Sequence, residues 1–168
     1  MKIEIRKAVP EDAAELLDFL RLAGGETDNL TFGKEGVPFT VDDEMKYLQS
    51  LSDSNVSALF IAKIGDEIVG EASFSSCSAD RLKHIGELGI CVKKSRWGSG
   101  VGSKLMETVI NFAKYDAKAE IITLNVRSDN MRAIKLYEKY GFKKFGCFKG
   151  YFKINNSLID CDYMNLYL

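Results

Sequence analysis

The sequence predicts a mixed α/β fold in which a mostly antiparallel sheet is flanked by about four helices. Its 168 residues are the usual length of one domain, so a single domain is expected over 1–168. Hydrophobic residues make up 46% and the formal net charge is -1, which is typical of a globular protein and not of a disordered chain. Apolar residues repeat with both strand and helix periods, in the order β-α-α-β-β-β-α-β-α-β-β.

The first half of the chain combines one strand, two helices and a three-stranded meander. Residues 2–8 alternate as an edge strand does. Pro10 suits the first position of a helix, and Gly24-Gly25 is expected to end that helix. Gly65-Asp66 indicates a tight hairpin turn. The expected elements are strand 2–8, a helix from 10 to 23, a loop over 26–40, helix 42–51 and strands 56–64, 67–77 and 84–92.

The second half begins with a strong helix after residues 93–102. Its apolar stripe is Val101, Leu105, Val109 and Phe112. A short strand over 121–126 follows, and then a helix that is capped by Asn130 or Asp129 and ended by Gly141. The inward positions expected for that helix are Ala133, Leu136 or Tyr137, and Tyr140. A closing hairpin around Asn155-Asn156 is expected to pair strands 142–154 and 158–168.

Several functional classes are excluded by composition. The four cysteines form no C-x-x-C pair and His84 is the only histidine, so no zinc or other metal site is expected and the thiols should be free and at least partly buried. The bases and aromatics form no nucleic-acid recognition pattern. No apolar run reaches the length of a bilayer span, and the N-terminal residues lack a signal-peptide core, so a cytoplasmic location without membrane contact is expected.

Charge is unevenly distributed along the chain. Residues 11–55 contain eleven acids and three bases, whereas residues 93–153 contain fourteen bases and five acids. Two interpretations remain open: two solvated faces, or one site that receives an anion from one side and a cation from the other.

A glycine-rich loop lies between a strand and the helix that follows it. Gly98, Gly100 and Gly102 allow close backbone approach, and the first N–H groups of the helix are unpaired. With the helix dipole, these groups predict a phosphate or pyrophosphate site, although a simple tight turn is the alternative. Ser103-Lys104 is in the wrong order for a Walker loop, and the glycine spacing does not match a dinucleotide-binding fingerprint.

Two segments carry a resemblance to a known family. The first, 87–105, contains Trp97-Gly98-Ser99-Gly100-Val101-Gly102, and the second, 125–142, contains Asn130 and Tyr137-Glu138-Lys139-Tyr140-Gly141-Phe142. Together they resemble the GNAT superfamily of acetyl-CoA-dependent N-acetyltransferases. The resemblance implies two splayed parallel strands, at 84–92 and 119–126, with acetyl-CoA as co-substrate in the gap between them.

The resemblance also implies roles for individual residues. Trp97 stands where the family has Gln or Arg, so Arg96 or Lys94 is expected to supply the missing phosphate contact. The backbone of Ile90 and Val92 would pair with the pantetheine arm, which Asn130 would hold. Tyr137 would protonate the departing thiolate; a helix cap and a core aromatic are the alternatives for Asn130 and Tyr137. The cofactor-binding residues expected are Ile90, Cys91, Val92, Trp97, Gly98, Ser99, Gly100, Val101, Gly102, Ser103, Asn125, Asn130 and Lys139.

The chemistry expected is direct transfer of an acetyl group to a primary amine in a ternary complex. Glu87 is the candidate base, through a water, with an exposed strand carboxylate as the alternative. Cys91 lacks a second group to activate it as a nucleophile. Ribosomal-protein N-terminal acetyltransferases of this superfamily have a glutamate where Asn125 stands.

The acceptor is expected to be a cationic amine: a small molecule, an amino acid, a polyamine or a peptide N-terminus. The acidic segment 11–55 should attract it through Glu26, Asp28 and Glu35. A non-catalytic acyl-CoA-binding module and a protein N-terminal acetyltransferase are the alternatives, and a homodimer is compatible with the resemblance.

Overall fold

The computed structural model describes residues 2–168, which form one seven-stranded sheet with helices on both faces. Short 3-10 turns precede α1 and follow β4, and a π-helical turn extends α3. The element order expected from the sequence is confirmed. The elements are β1 (Glu4–Lys7), α1 (Ala13–Glu26), α2 (Val41–Ser52), β2 (Ala58–Ile64), β3 (Glu67–Ser76), β4 (Ile85–Val92), α3 (Val101–Asn111), β5 (Ile121–Arg127), α4 (Met131–Lys139), β6 (Lys143–Ile154) and β7 (Ser157–Tyr167).

The strand order places one parallel pair at the centre of the sheet. The order is β1-β2-β3-β4-β5-β7-β6, and every neighbouring pair is antiparallel except β4 and β5. These two strands are paired only from Ile85–Glu87 to the segment 121–123. Since β7 lies between β5 and β6, the closing hairpin completes the sheet within one chain.

Two apolar clusters hold the helices against the sheet. On one face, Val101, Leu105 and Val109 of α3 are fully buried against β2, β3 and β4, and Phe112 is nearly so, which confirms the expected stripe. On the other face, α1 and α2 pack on the side of the sheet that carries Ile61. Because burial of each large aliphatic side chain contributes about 1.5–3 kcal/mol, these two clusters fix the helices on their faces.

The expected end of α1 at Gly24-Gly25 is wrong, because the helix continues to Glu26. Gly24 serves a close approach and not a helix stop. A Cβ at position 24 would lie 2.0 Å from the backbone carbonyl oxygen of Gly33. The loop after α1 therefore folds back onto the helix at a point where only glycine fits.

The four thiols are free, as expected, but Cys147 is exposed instead of partly buried. It lies on β6, the edge strand of the sheet, where the side chain keeps its access to solvent. Over residues 2–168, no helix has both the length and the apolar character needed to cross a bilayer. No cluster of metal-ligating side chains occurs in the same part of the chain.

Candidate functional site

A gap opens between β4 and β5 where their pairing ends. The carbonyl of His84, just before β4, accepts hydrogen bonds from the start of β5, whereas the N–H of Lys93, just after β4, donates to β3. Even-numbered residues of β4 therefore direct their backbone groups toward β5. In the described chain the last parallel pair involves Glu87. The backbone groups of Ile90 and Val92 consequently face the gap.

The glycine loop forms one end of this gap. Gly98 and Gly100 have φ values of 77° and 89°, which L side chains rarely adopt, and a Cβ at either position would point into open space. Gly100 is also the N-cap residue of α3, so the N–H groups of the first helical turn lie next to this space. The loop is therefore a cradle of backbone amides at a helix N-terminus, which suits a pyrophosphate.

A cavity of about 740 Å³ follows the gap from the glycine loop to the far side of the sheet. Most of the residues expected from the sequence line it. Two do not: the side chain of Val101 is fully buried in the core, and the hydroxyl of Ser99 donates to the Arg96 carbonyl at 2.6 Å. The expected residues that line the cavity are Glu87, Ile90, Cys91, Val92, Trp97, Gly98, Gly100, Gly102, Ser103, Asn125, Asn130, Tyr137 and Lys139.

Trp97 turns its side chain back toward the end of β4. Its indole N–H donates to the Val92 carbonyl at 2.8 Å. The guanidinium carbon of Arg132, on α4, lies 3.1 Å from the centre of the indole ring, in a cation–π stack. Arg132 and Arg96 both line the cavity, whereas the backbone N–H of Lys94 donates to the Glu26 carboxylate. A cation therefore stands beside the loop even though Trp97 replaces the expected Gln or Arg.

Tyr137 and Cys91 lie at the middle of the cavity, on opposite sides of the gap. Tyr137 is buried and its ring packs against Phe142, with 5.9 Å between ring centres. Burial raises the pKa of the Tyr137 hydroxyl, and the nearby Cys91 sulfur adds to that effect. Burial likewise raises the pKa of the Cys91 thiol, with further contributions from Glu71 and Glu26. At neutral pH both groups keep their protons, so Tyr137 can act as an acid and Cys91 is a poor nucleophile.

The two asparagines occupy the opposite wall. The Asn130 side chain accepts a hydrogen bond from the Ala133 N–H at 3.3 Å, which makes Asn130, and not Asp129, the N-cap of α4. Asp129 instead accepts from the Arg127 guanidinium. Asn125 lies on β5 opposite Tyr163 of β7 and faces the cavity. The cap accounts for one role of Asn130; contact with a pantetheine arm stays a prediction.

The far end of the cavity is built from segments distant in sequence. The loop after α1 forms one wall through residues 27 and 29–32, and the β6–β7 hairpin forms another through Tyr151 and Phe152. The charged residues at this end are Glu71, Glu87 and Arg127. Arg127 already donates to Asp129 and, at 2.8 Å, to the Asp28 carbonyl.

The carboxylates expected to attract the acceptor lie elsewhere. Glu26 accepts the Lys94 N–H, and Glu35 accepts the Gly33 N–H at 2.7 Å, a contact that lowers the pKa of this exposed carboxyl. Asp28 contributes its carbonyl to Arg127. The side chains of Glu26, Asp28 and Glu35 are absent from the cavity lining among the described residues. The acidic segment thus contributes loop residues 27 and 29–32 to the wall of the far end, whereas the negative charge there comes from Glu71 and Glu87.

Glu71 and Arg132 are functional candidates that sequence reasoning missed. Glu71 interrupts β3 with a charge between apolar neighbours, and Arg132 lies one turn before Leu136 on α4. A charged residue inside a mostly buried strand was the available signal for Glu71. Nothing in the sequence alone marks Arg132 as facing the loop.

Comparisons with known proteins converge on one family. A model described as the acetyltransferase (GNAT) family matches residues 27–142. The L-amino acid N-acetyltransferase AaaT of Escherichia coli K12 is 35% identical over 117 residues, which are 69% of this chain and 72% of that protein. An acetyltransferase of the GNAT family from Streptococcus pneumoniae superposes with a TM-score of 0.96 at 30% identity, over 99% of this chain and 100% of that one.

A further solved structure was determined with its cofactor. The putative acetyltransferase yncA from Salmonella typhimurium, with acetyl-CoA, superposes with a TM-score of 0.85 at 20% identity, over 99% of this chain and 94% of that one. At this identity the likeness concerns the fold alone.

Proposed function

The chain belongs to the GNAT family of acetyltransferases and is an N-acetyltransferase that uses acetyl-CoA, and we propose that it transfers the acetyl group directly to a cationic primary amine in a ternary complex. One observation carries this proposal. The cavity between the diverging strands joins the glycine loop, the buried Tyr137 hydroxyl and an acidic far end in one continuous lining. Both reactants could therefore meet at the middle of the sheet.

The residues of the gap fit the co-substrate. The amides of the loop around Gly98 and Gly100 would hold the pyrophosphate, with Arg96 and Arg132 beside it. The exposed backbone of Ile90 and the N–H of Val92 would pair with the pantetheine arm as an added strand does, while the Val92 carbonyl is already bonded to Trp97. When bound, acetyl-CoA supplies an activated acetyl group and a thiolate leaving group.

Tyr137 and Glu87 are the proposed acid and base. The Tyr137 O–H would give its proton to the sulfur as the carbon–sulfur bond breaks. Glu87, four residues from Cys91 along β4, would take the proton that the amine nitrogen loses through a chain of waters as the carbon–nitrogen bond forms. Deprotonating a lysine-like amine at pH 7 costs about 4.6 kcal/mol, whereas an α-amine costs only about 1 kcal/mol. A positioned base therefore matters most for alkyl amines.

The acceptor's identity is proposed only by class. The relative from Escherichia coli is named for L-amino acids, and small molecules, amino acids, polyamines and peptide N-termini all carry the required amine. Glu71 and Glu87 at the far end of the cavity support a positively charged acceptor. A homodimer and a cytoplasmic location stay predictions.

Replacing Tyr137 with phenylalanine tests the acid role. We expect Tyr137→Phe to lower kcat about 10²- to 10⁴-fold, because the sulfur leaves without a proton donor. The KM for acetyl-CoA should change less than about twofold, since no phosphate contact is lost. Initial rates with an amine panel, with the acetylated product identified by mass spectrometry, provide the measurement.

The matched control is Cys91→Ala, which alters the other buried group at the middle of the cavity. Turnover should persist, because direct transfer needs no acyl-enzyme. An inactive Cys91→Ala protein that still binds acetyl-CoA would overturn direct transfer, and an unchanged kcat in Tyr137→Phe would remove the acid role.

A further inference from the structure

Glu71 carries a carboxyl group that lines the cavity. It lies in the middle of β3, directly opposite Cys91 on β4 and Ile61 on β2, so its side chain shares their face of the sheet. Over residues 2–168 the structure gives its carboxyl group no hydrogen bond and no ion pair. Its negative charge is therefore available to a ligand that enters the cavity.

The surroundings of Glu71 make this charge costly. Glu44, on α2, is 3% exposed and contributes a second carboxyl group on the same side. Burial, and then the charge of Glu44, raise the pKa of Glu71 to about 7. Two lysines on the neighbouring strands have other partners: Lys63 of β2 pairs with Glu15, and Lys93, just after β4, pairs with Glu67. Because an unpaired carboxylate that is partly removed from solvent opposes folding, its presence in a ligand cavity points to a cationic ligand group.

The positive charge at the same end of the cavity is already satisfied. Arg127 directs three of its N–H groups to Asp129 and to the Asp28 carbonyl. An acceptor carboxylate would thus have to compete with Asp129, whereas an acceptor ammonium would meet an open carboxylate at Glu71. Glu87, four residues from Cys91 along β4 and roughly 13 Å away, adds a second negative charge to this end of the cavity. The charges of this end complement a cation more than a zwitterion.

We propose that Glu71 determines acceptor specificity by binding a second cationic group of the acceptor, so that short aliphatic diamines and polyamines are the preferred substrates. This inference rests on the proposed function, in which the reacting amine meets the acetyl group beside Cys91. Directly opposite side chains on paired strands are roughly 5 Å apart, a distance that about three methylene groups span. The second ammonium would therefore bind Glu71 while the first lies beside Cys91.

Steady-state kinetics with three matched acceptors test the proposal. At about pH 8, where a carboxyl group with a pKa near 7 is mostly ionised, the wild-type kcat/KM is measured for 1,3-diaminopropane, propylamine and β-alanine. The three acceptors share a three-carbon chain and differ in carrying a second ammonium, no second charge or a carboxylate. We expect the diamine to exceed propylamine at least about tenfold, as one charge-assisted contact would provide, and β-alanine to be the poorest acceptor.

Variants assign the preference to one side chain. In Glu71→Gln, the ratio of kcat/KM for the diamine to that for propylamine should fall to within about threefold of one. Glu71→Asp keeps the charge and should retain more of the ratio than Glu71→Gln. The matched control, Glu87→Gln, removes the other cavity carboxylate and should lower kcat for both amines while the ratio is kept. Binding of acetyl-CoA, measured by calorimetry, verifies that each variant folds.

The outcomes separate this proposal from the function on which it rests. If no amine is acetylated, the proposed function fails. If amines are acetylated but propylamine or β-alanine equals the diamine in the wild type, the role of Glu71 is overturned and the function stands. Equal loss of the ratio in Glu71→Gln and Glu87→Gln would also overturn it, because general electrostatic attraction would then explain the preference.

Discussion

Trp97 shows at the scale of one residue how a motif position can change while its function is preserved. The indole cannot bind a phosphate as Gln or Arg does, but its N–H is bonded to the end of β4 and its face is covered by Arg132. The stack orders a long side chain that would otherwise be mobile. A guanidinium from α4 thereby stands at the loop, where the expected residue is missing.

Arg132→Ala should consequently weaken acetyl-CoA binding. We expect the KM for acetyl-CoA to rise roughly tenfold, the effect of losing one charge-assisted contact, with little change in kcat. Lys114→Ala serves as the control, since Lys114 stacks on Tyr115 outside the cavity. Equal KM values for the two variants would show that Arg132 does not contact the cofactor.

The residues that could be predicted are those whose role follows from local spacing. The glycine loop, Tyr137 and Asn130 lie at fixed distances along adjacent elements, so their order in the sequence nearly determines their arrangement. Arg132 could not be assigned in this way, because its direction depends on how α4 packs over the loop. The partners of Glu26 and Asp28 likewise arise from contacts with segments far along the chain.

At the scale of elements, the hairpin of β2 and β3 explains why Glu71 was missed. A two-residue turn at Gly65-Asp66 with regular pairing would place Phe60 opposite Glu71. A bulge between Ala62 and Lys63 shifts the register, so that Ile61 takes that place. Phe60 then packs into the cluster under α3, and Glu71 faces the cavity. The sequence does not reveal the bulge, and hence the surroundings of Glu71 could not be predicted.

The return of the loop onto α1 makes a testable prediction at this scale. In Gly24→Ala, the new Cβ would meet the Gly33 carbonyl oxygen at 2.0 Å, a backbone contact that cannot relax without moving the loop. We expect a loss of about 1–3 kcal/mol in the free energy of unfolding and a higher acceptor KM, because the same loop lines the acceptor end. The KM for acetyl-CoA should be unaffected.

Gly25→Ala is the neighbouring control. Its Cβ would make an ordinary contact of 3.5 Å with Lys34, so alanine should stabilise the helix by about 0.5–1 kcal/mol. Thermal or denaturant unfolding of the two variants provides the measurement. If both glycines respond alike, the loop is not held by close approach at Gly24.

At the scale of the whole molecule, the basic half of the chain supplies one charged end of the cavity, and two glutamates from outside the acidic half supply the other. The basic half supplies Arg96, Arg132, Lys135 and Lys139 around the glycine loop. The opposite end carries Glu71 and Glu87, and both lie outside the two charged segments of the sequence. The arrangement suits a site that receives an anion at one end and a cation at the other, but the carboxylates of the acidic segment do not supply the second end.

Ionic strength distinguishes this local arrangement from the net charge. A net charge of -1 would weakly repel an anionic co-substrate, so added salt would lower the KM for acetyl-CoA. The basic end of the cavity predicts the opposite, and its acidic end predicts that the KM for a cationic amine also rises. Raising potassium chloride from about 20 mM to about 200 mM should increase both KM values about threefold, because the screening length falls below the size of the cavity.

A neutral acceptor such as a hydrazide is the control, and its KM should remain constant. A salt-independent KM for the amine would mean that Glu71 and Glu87 do not act on the acceptor through their charge.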